Sequence, residues 1–255
     1  MFEFLYGWLL WIGVGAGAAL MAVGIPAYRR AVFVYRLEGQ IPQALRVVSD
    51  AVAAGMDLKS AFEAVAALGL SPMNQVFRRV LLLSDFGGLT AEEALWRVAS
   101  ELPSANFRRF ALIVAEAARS GARLPEVLDV AARTFASVVD FRRELWSQLR
   151  PYVALFYAVI LVFVALSDVI VYLLLPQLAQ LSVQLPSLPA GGGLQVSTPA
   201  REDVLSILFL TSLVQSVVGG AIVGRIAYFS PRAGLLHGGV AALVSTIGLL
   251  IPSWL

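Results

Sequence analysis

Between Gly55 and Ala131 one pattern of apolar and polar positions is written three times. Gly55-Met56-Asp57-Leu58-Lys59-Ser60-Ala61-Phe62-Glu63-Ala64-Val65 recurs from Gly88 to Val98 and again from Gly121 to Ala131, so the glycines fall 33 residues apart. In each copy apolar or small residues stand three, six, seven and ten places after the glycine, the stripe of an amphipathic helix that opens beyond a turn. Each copy therefore predicts a helical hairpin, with Gly55, Gly88 and Gly121 as equivalent turns in which glycine tolerates a positive φ. A repeat of this size implies helix pairs that bury their faces against one another. A second pattern runs out of phase with the first: Phe77-Arg78-Arg79, Phe107-Arg108-Arg109 and Phe141-Arg142-Arg143 put an aromatic and two cations on the alternate helices.

Outside this block the chain is apolar over long runs. Phe4 to Tyr28 is uncharged and, at about 1.5 Å per residue, long enough to cross a hydrocarbon core of roughly 30 Å. Ala16-Gly17-Ala18 would pass for a signal-peptide cleavage site, but Glu3 precedes the run without any Lys or Arg, and the run continues past the site. The segment is read as a transmembrane helix. Its small residues Gly13 to Gly17 would let another helix approach closely. Three further spans follow: Pro151 to Leu175, interrupted by Asp168; Val204 to Gly224; and Ala233 to Leu255, which contains His237.

Between the first two spans, the pattern predicts six helices at roughly 42–54, 58–68, 72–85, 91–101, 104–119 and 125–149. The punctuation is specific. Pro42 opens the first, Asp57 can cap the second, Thr90-Ala91-Glu92-Glu93 has the form of a capping box, and Pro125 suits a first turn. The fold class expected is all-α: a polytopic membrane protein with four transmembrane helices and a six-helix cytoplasmic bundle between the first and second. Its domains are a first transmembrane helix at 1–28, a cytoplasmic helical domain at 29–150, and a three-helix membrane region at 151–255 with an external Pro/Gly-rich loop at 176–202.

Composition supports this division. The chain is 59% hydrophobic and 14% charged with a mean hydropathy of +0.80, whereas soluble domains carry roughly a quarter charged residues. Residues 29–150 hold 16 of the 19 basic and 13 of the 17 acidic side chains. Arg29, Arg30, Arg142, Arg143, Arg150, Arg225 and Arg232 flank the spans on one side, and the other side has only Arg201, next to Glu202 and Asp203. The positive-inside rule then makes the repeat block cytoplasmic and the Pro/Gly loop external, and four spans put both termini outside the cell membrane.

The sequence carries no catalytic constellation. No cysteine is present and His237 is the only histidine, so there is no thiolate site, His-pair metal motif or His-centred cluster. No Gly-x-Ser-x-Gly elbow and no P-loop run occurs. Asp168 and His237 are the intramembrane polar candidates, since charge inside a span marks either a functional path or a locally satisfied group. The arginine pairs divide by position. Arg142, Arg143 and Arg150 lie near the second span and suit anionic headgroups, while Arg78, Arg79, Arg108 and Arg109 suit an acidic protein surface or a solvated face with local ion pairs.

Ile41-Pro42-Gln43-Ala44-Leu45, Ala54-Gly55-Met56-Asp57-Leu58 leading to Ala61-Phe62, and Ser120 to Leu128 together resemble the F-domain of type II secretion platform proteins. The C-terminal half, with Gly220 to Arg225 and Ala233 to His237, is similar to archaeal members that serve archaella and adhesion pili. One F-domain is present where many members carry two, which resembles the single-domain platforms of tight-adherence pili. The resemblance implies a non-enzymatic inner-membrane platform that anchors a cytosolic hexameric ATPase and couples it to pilin-like subunits. The platform would act in the lipid bilayer as a homodimer or beside a paralogous subunit. No cofactor and no nucleic acid is implied. The alternative class is a transporter permease or channel subunit, which would predict internal symmetry among the spans, and none is seen.

Overall fold

The computed structural model describes residues 2–120, 124–184 and 199–250; Gly121 and residues 185–198 of the Pro/Gly loop lie outside the described residues. The elements are α1 (Phe2–Ala53), α2 (Leu58–Ala67), α3 (Met73–Phe86), α4 (Ala91–Glu101), α5 (Ala105–Ser120) and α6 (Leu124–Asp168). A π-helical turn (Val169–Leu174) then leads to α7 (Leu175–Gln184), α8 (Arg201–Tyr228) and α9 (Pro231–Leu250). No strand occurs among the described residues. Four helices are long and apolar enough to cross a membrane: Trp8–Ala53, Leu124–Gln180, Arg201–Tyr228 and Pro231–Leu250.

Two expected helix boundaries are corrected. The first span and the predicted helix at 42–54 are one continuous helix, and so are the helix at 125–149 and the second span. Arg29 and Arg30 end an apolar run, yet they do not end a helix, because the residues beyond them present Leu37, Ile41, Ala44, Leu45 and Val48 as a helical stripe that the core buries. Pro42 opens nothing: it lies inside α1, as Pro151 lies inside α6. Each proline withholds one N–H from the ladder, a loss that a long, packed helix tolerates. Likewise Pro176 falls in the first turn of α7, so helix extends to Gln184 into the expected loop.

The chain divides into two compact units, Arg30–Ser147 and Met1–Arg29 with Gln148–Leu255. In the first unit the repeat is visible as burial. Ala61, Phe62, Val65 and Ala66 on α2 and Ala94, Leu95, Val98 and Ala99 on α4 are buried at the same offsets from Gly55 and Gly88. On α6, Leu128, Ala131 and Ala132 are buried in the same core, while Val127 is exposed. Phe62, Phe77, Phe110 and Phe107 form the centre, with ring centroids 5.2, 6.1 and 5.1 Å apart in that order. The Phe-Arg-Arg pattern holds for Phe77 and Phe107 but not for Phe141, which is 63% exposed.

In the second unit, α8 and α9 meet along glycines. A Cβ on Gly220 would lie 2.5 Å from the Gly238 Cα, and one on Gly224 would lie 2.2 Å from the Gly234 nitrogen. Here van der Waals contact replaces the hydrophobic driving force that a bilayer does not supply. The small residues of α1 serve the same end against α9: a Cβ on Gly13 would meet Thr246, one on Gly17 would meet Leu243, and one on Gly24 would meet Leu236 backbone. Gly15 has nothing within 4 Å.

Candidate functional site

The polar centre of the unit Arg30–Ser147 is Glu38, on the core side of α1 next to Leu37 and Ile41. It accepts hydrogen bonds from the Ser104 hydroxyl at 2.6 Å, from the Asn106 amide at 2.9 Å, and from the Arg142 guanidinium. Ser104 in turn accepts from the Phe107 N–H at 3.0 Å, which caps α5. Burial pushes the Glu38 carboxyl up, and the hydrogen bonds from Ser104, Asn106 and Arg142 together with the Arg142 charge outweigh it, so its pKa lies below the ordinary value. Glu38 was not singled out from the sequence. The available signal was an acid in the helical register of Ile41 and Leu45.

Two more side chains of α1 tie the bundle. Gln40 accepts from the Met73 N–H at 3.0 Å and donates to the Ser71 carbonyl at 2.8 Å, satisfying the start of α3 from another helix. Ser49 donates to the Pro125 carbonyl at 2.9 Å. Local caps also form: the Thr90 hydroxyl accepts from the Glu93 N–H at 3.3 Å, and the Glu93 carboxylate accepts from the Thr90 N–H at 3.0 Å, completing the capping box. Asp57 precedes α2 and accepts from the Ser60 hydroxyl without bonding the backbone as a cap.

Gly55 and Gly88 have φ values of +86° and +66°, and Gly69, outside the repeat pattern, has +68°. Arg79 pairs with Glu101, and Arg108 donates to the Leu102 carbonyl at 3.2 Å, so both reach the C-terminal end of α4. Arg78 and Arg109 are exposed and have no ion pair among the described residues. Arg142 is held inward by Glu38 with its side chain 26% exposed, while Arg143 is 68% exposed and reaches Asp140 at 3.5 Å. Arg150 is exposed.

The membrane unit contains a second polar cluster. The Tyr157 hydroxyl is hydrogen-bonded to His237 Nδ1 at 2.7 Å, the Tyr228 ring stacks on the imidazole at 6.4 Å, and Tyr28 meets Tyr228 edge-on at 5.1 Å. His237 Nε2 and Asp168 Oδ1 are buried without a hydrogen-bond partner among the described residues. Arg201 lies over the Tyr172 ring at 4.6 Å, and the Tyr172 hydroxyl donates to the Leu249 carbonyl at 2.9 Å. Among the described residues no group of His, Cys, Asp and Glu could hold a metal ion.

Comparison with known proteins adds three findings. The family described as Type II secretion system (T2SS), protein F, matches residues 44–171. The chain is 28% identical over 139 residues to an uncharacterized protein of Methanocaldococcus jannaschii, an alignment covering 54% of this chain and 46% of the relative, so the chain spans under half of that protein. No solved structure matches.

Proposed function

This chain belongs to the type II secretion system protein F family, and we propose that it is the membrane platform of a type IV pilus-like or type II secretion machine. The observation that carries this reading is the family match over residues 44–171, which takes in the end of α1, all of α2 to α6 and the start of the π-helical turn. In the proposed role the helical block Arg30–Ser147 lies in the cytoplasm and docks a hexameric secretion ATPase, while the membrane helices work on pilin-like subunits. Arg78 and Arg109, together with Arg79 and Arg108, form the ATPase-facing surface. Arg143 and Arg150 lie against anionic headgroups, both termini are external, and a second copy or a paralogue completes the platform. The role is mechanical and asks for no chemistry from this chain.

Recovery of the native complex tests the reading. Tagged protein extracted from its own membrane in mild detergent is expected to bring down a secretion-type ATPase and a pilin-like protein. Co-purification of a transport ATPase and solute-binding subunits instead would overturn it.

A further inference from the structure

A pocket of about 200 Å³ opens between α1 and α6 within the unit Arg30–Ser147, lined by Tyr35, Arg36, Gly39, Gln40, Val139, Arg142 and Arg143. Three arginines from two helices line it. Arg142 already holds Glu38 and Arg143 touches Asp140 only at 3.5 Å, while Arg36 has no hydrogen bond or ion pair among the described residues. Glu38 and Asp140 offset the first two charges and leave the Arg36 guanidinium without a counter-charge among the described residues, and arginine forks match tetrahedral oxyanions.

Gly39 supplies an independent observation. It lies well inside α1, where glycine costs roughly 1 kcal/mol relative to alanine. No compensating reason is found in the packing: its φ is helical and a Cβ built on it meets nothing within 4 Å. A side chain at this position would project into open space lined by the arginines, so glycine here keeps the pocket clear. Tyr35, one helical turn before Gly39, also lines the pocket and carries a hydroxyl able to donate.

We propose that Tyr35, Arg36, Arg142 and Arg143, around the open floor left by Gly39, bind a phosphate group carried by a lipid headgroup or a small soluble phosphate ester. The Arg142–Glu38 pair fixes one fork in position, Arg36 supplies uncompensated charge, and Arg143 exchanges its weak contact for the ligand. The site needs neither an ATPase nor a pilin, so it stands or falls apart from the platform role.

The test uses full-length protein in a non-ionic detergent, titrated calorimetrically with inorganic phosphate, glycerol phosphate and a short-chain phosphatidylglycerol. Binding is expected to weaken about tenfold or more in R36Q/R143Q, which leaves Arg142 and Glu38 paired, and to be unaffected in R78Q/R109Q, which removes the same charge elsewhere. Gly39→Leu is expected to abolish binding while unfolding no earlier than the wild type. Tighter binding of phosphatidylglycerol than of glycerol phosphate identifies a lipid headgroup as the source, and equal binding identifies a soluble ester. The proposal is overturned if no probe binds, if Gly39→Leu binds as the wild type does, or if R78Q/R109Q loses as much affinity as R36Q/R143Q.

Discussion

Glu38 on α1 and Arg142 on α6 form an ion pair between residues 104 positions apart, and Ser104 and Asn106 bring α5 to the same carboxylate. One buried acid thereby joins three helices of the bundle. Glu38→Ala removes the carboxylate from the mostly buried Arg142 and strands the Ser104 and Asn106 donors. We expect it to destabilise the protein by about 2 kcal/mol, less than for a fully buried pair because Arg142 is partly solvated. Glu38→Gln keeps part of the hydrogen bonding and should lose less. Thermal unfolding in detergent reads both.

The same residue sets a pH dependence. Because the folded-state pKa of Glu38 lies below its ordinary 4.5, the unfolded chain binds the proton more readily, and stability rises with pH across that window. Its contribution is complete above pH 4.5 and is lost as pH falls through the lowered folded-state value. The acid-induced fall in unfolding temperature should therefore be shallower in Glu38→Gln than in the wild type. Parallel acid limbs for the two proteins would show that Glu38 carries no such linkage.

Gly55 and Gly88 turn at positive φ with no atom within 4 Å of a built Cβ, so substitution there meets backbone strain alone. Alanine at either position is expected to cost about 1 kcal/mol, and asparagine, which tolerates the left-handed region, less. Equal losses for alanine and asparagine would point to side-chain crowding instead.

Gly224 presents the opposite case, since a Cβ there would fall 2.2 Å from the Gly234 nitrogen. Gly224→Ala should force α8 from α9 and destabilise the membrane unit by about 1–3 kcal/mol. Gly15→Ala, which meets nothing, should be neutral or mildly stabilising. Unfolding of the two variants in the same detergent compares them directly.

For the ATPase surface, the ion pairs select the cleanest substitutions. Reversing Arg79 would set a glutamate against Glu101, whereas Arg78 and Arg109 hold no structural pair among the described residues. Arg78→Glu with Arg109→Glu is therefore expected to weaken ATPase binding and filament assembly at least tenfold without loss of folding or insertion, and the wild-type interaction should weaken with salt. A double variant that binds as the wild type does moves the docking surface elsewhere.

The absence of cysteine makes topology directly readable. A cysteine placed at Ser100, in α4, should react with an impermeant maleimide only after the cell membrane is opened, and one at Ser197 should react in intact cells. The reverse pattern would invert the orientation.

What the sequence determined alone is whatever rests on neighbours along the chain. Helical periodicity follows from side chains three and four residues apart, so the α2 and α4 stripes and the Thr90–Glu93 capping box were readable before any packing was known. Apolar length likewise marked four helices able to cross a membrane. The tertiary structure decided what depends on partners distant in sequence. An apolar run ends at Arg29, and whether the helix also stops there depends on packing, which carries α1 unbroken to Ala53. Phe141 repeats the motif of Phe77 and Phe107 yet faces outward, because a motif records residue type and burial depends on which helix lies opposite. Glu38 carried no signal beyond an acid on an apolar stripe, and only the fold brings Ser104, Asn106 and Arg142 to the carboxylate that needs them.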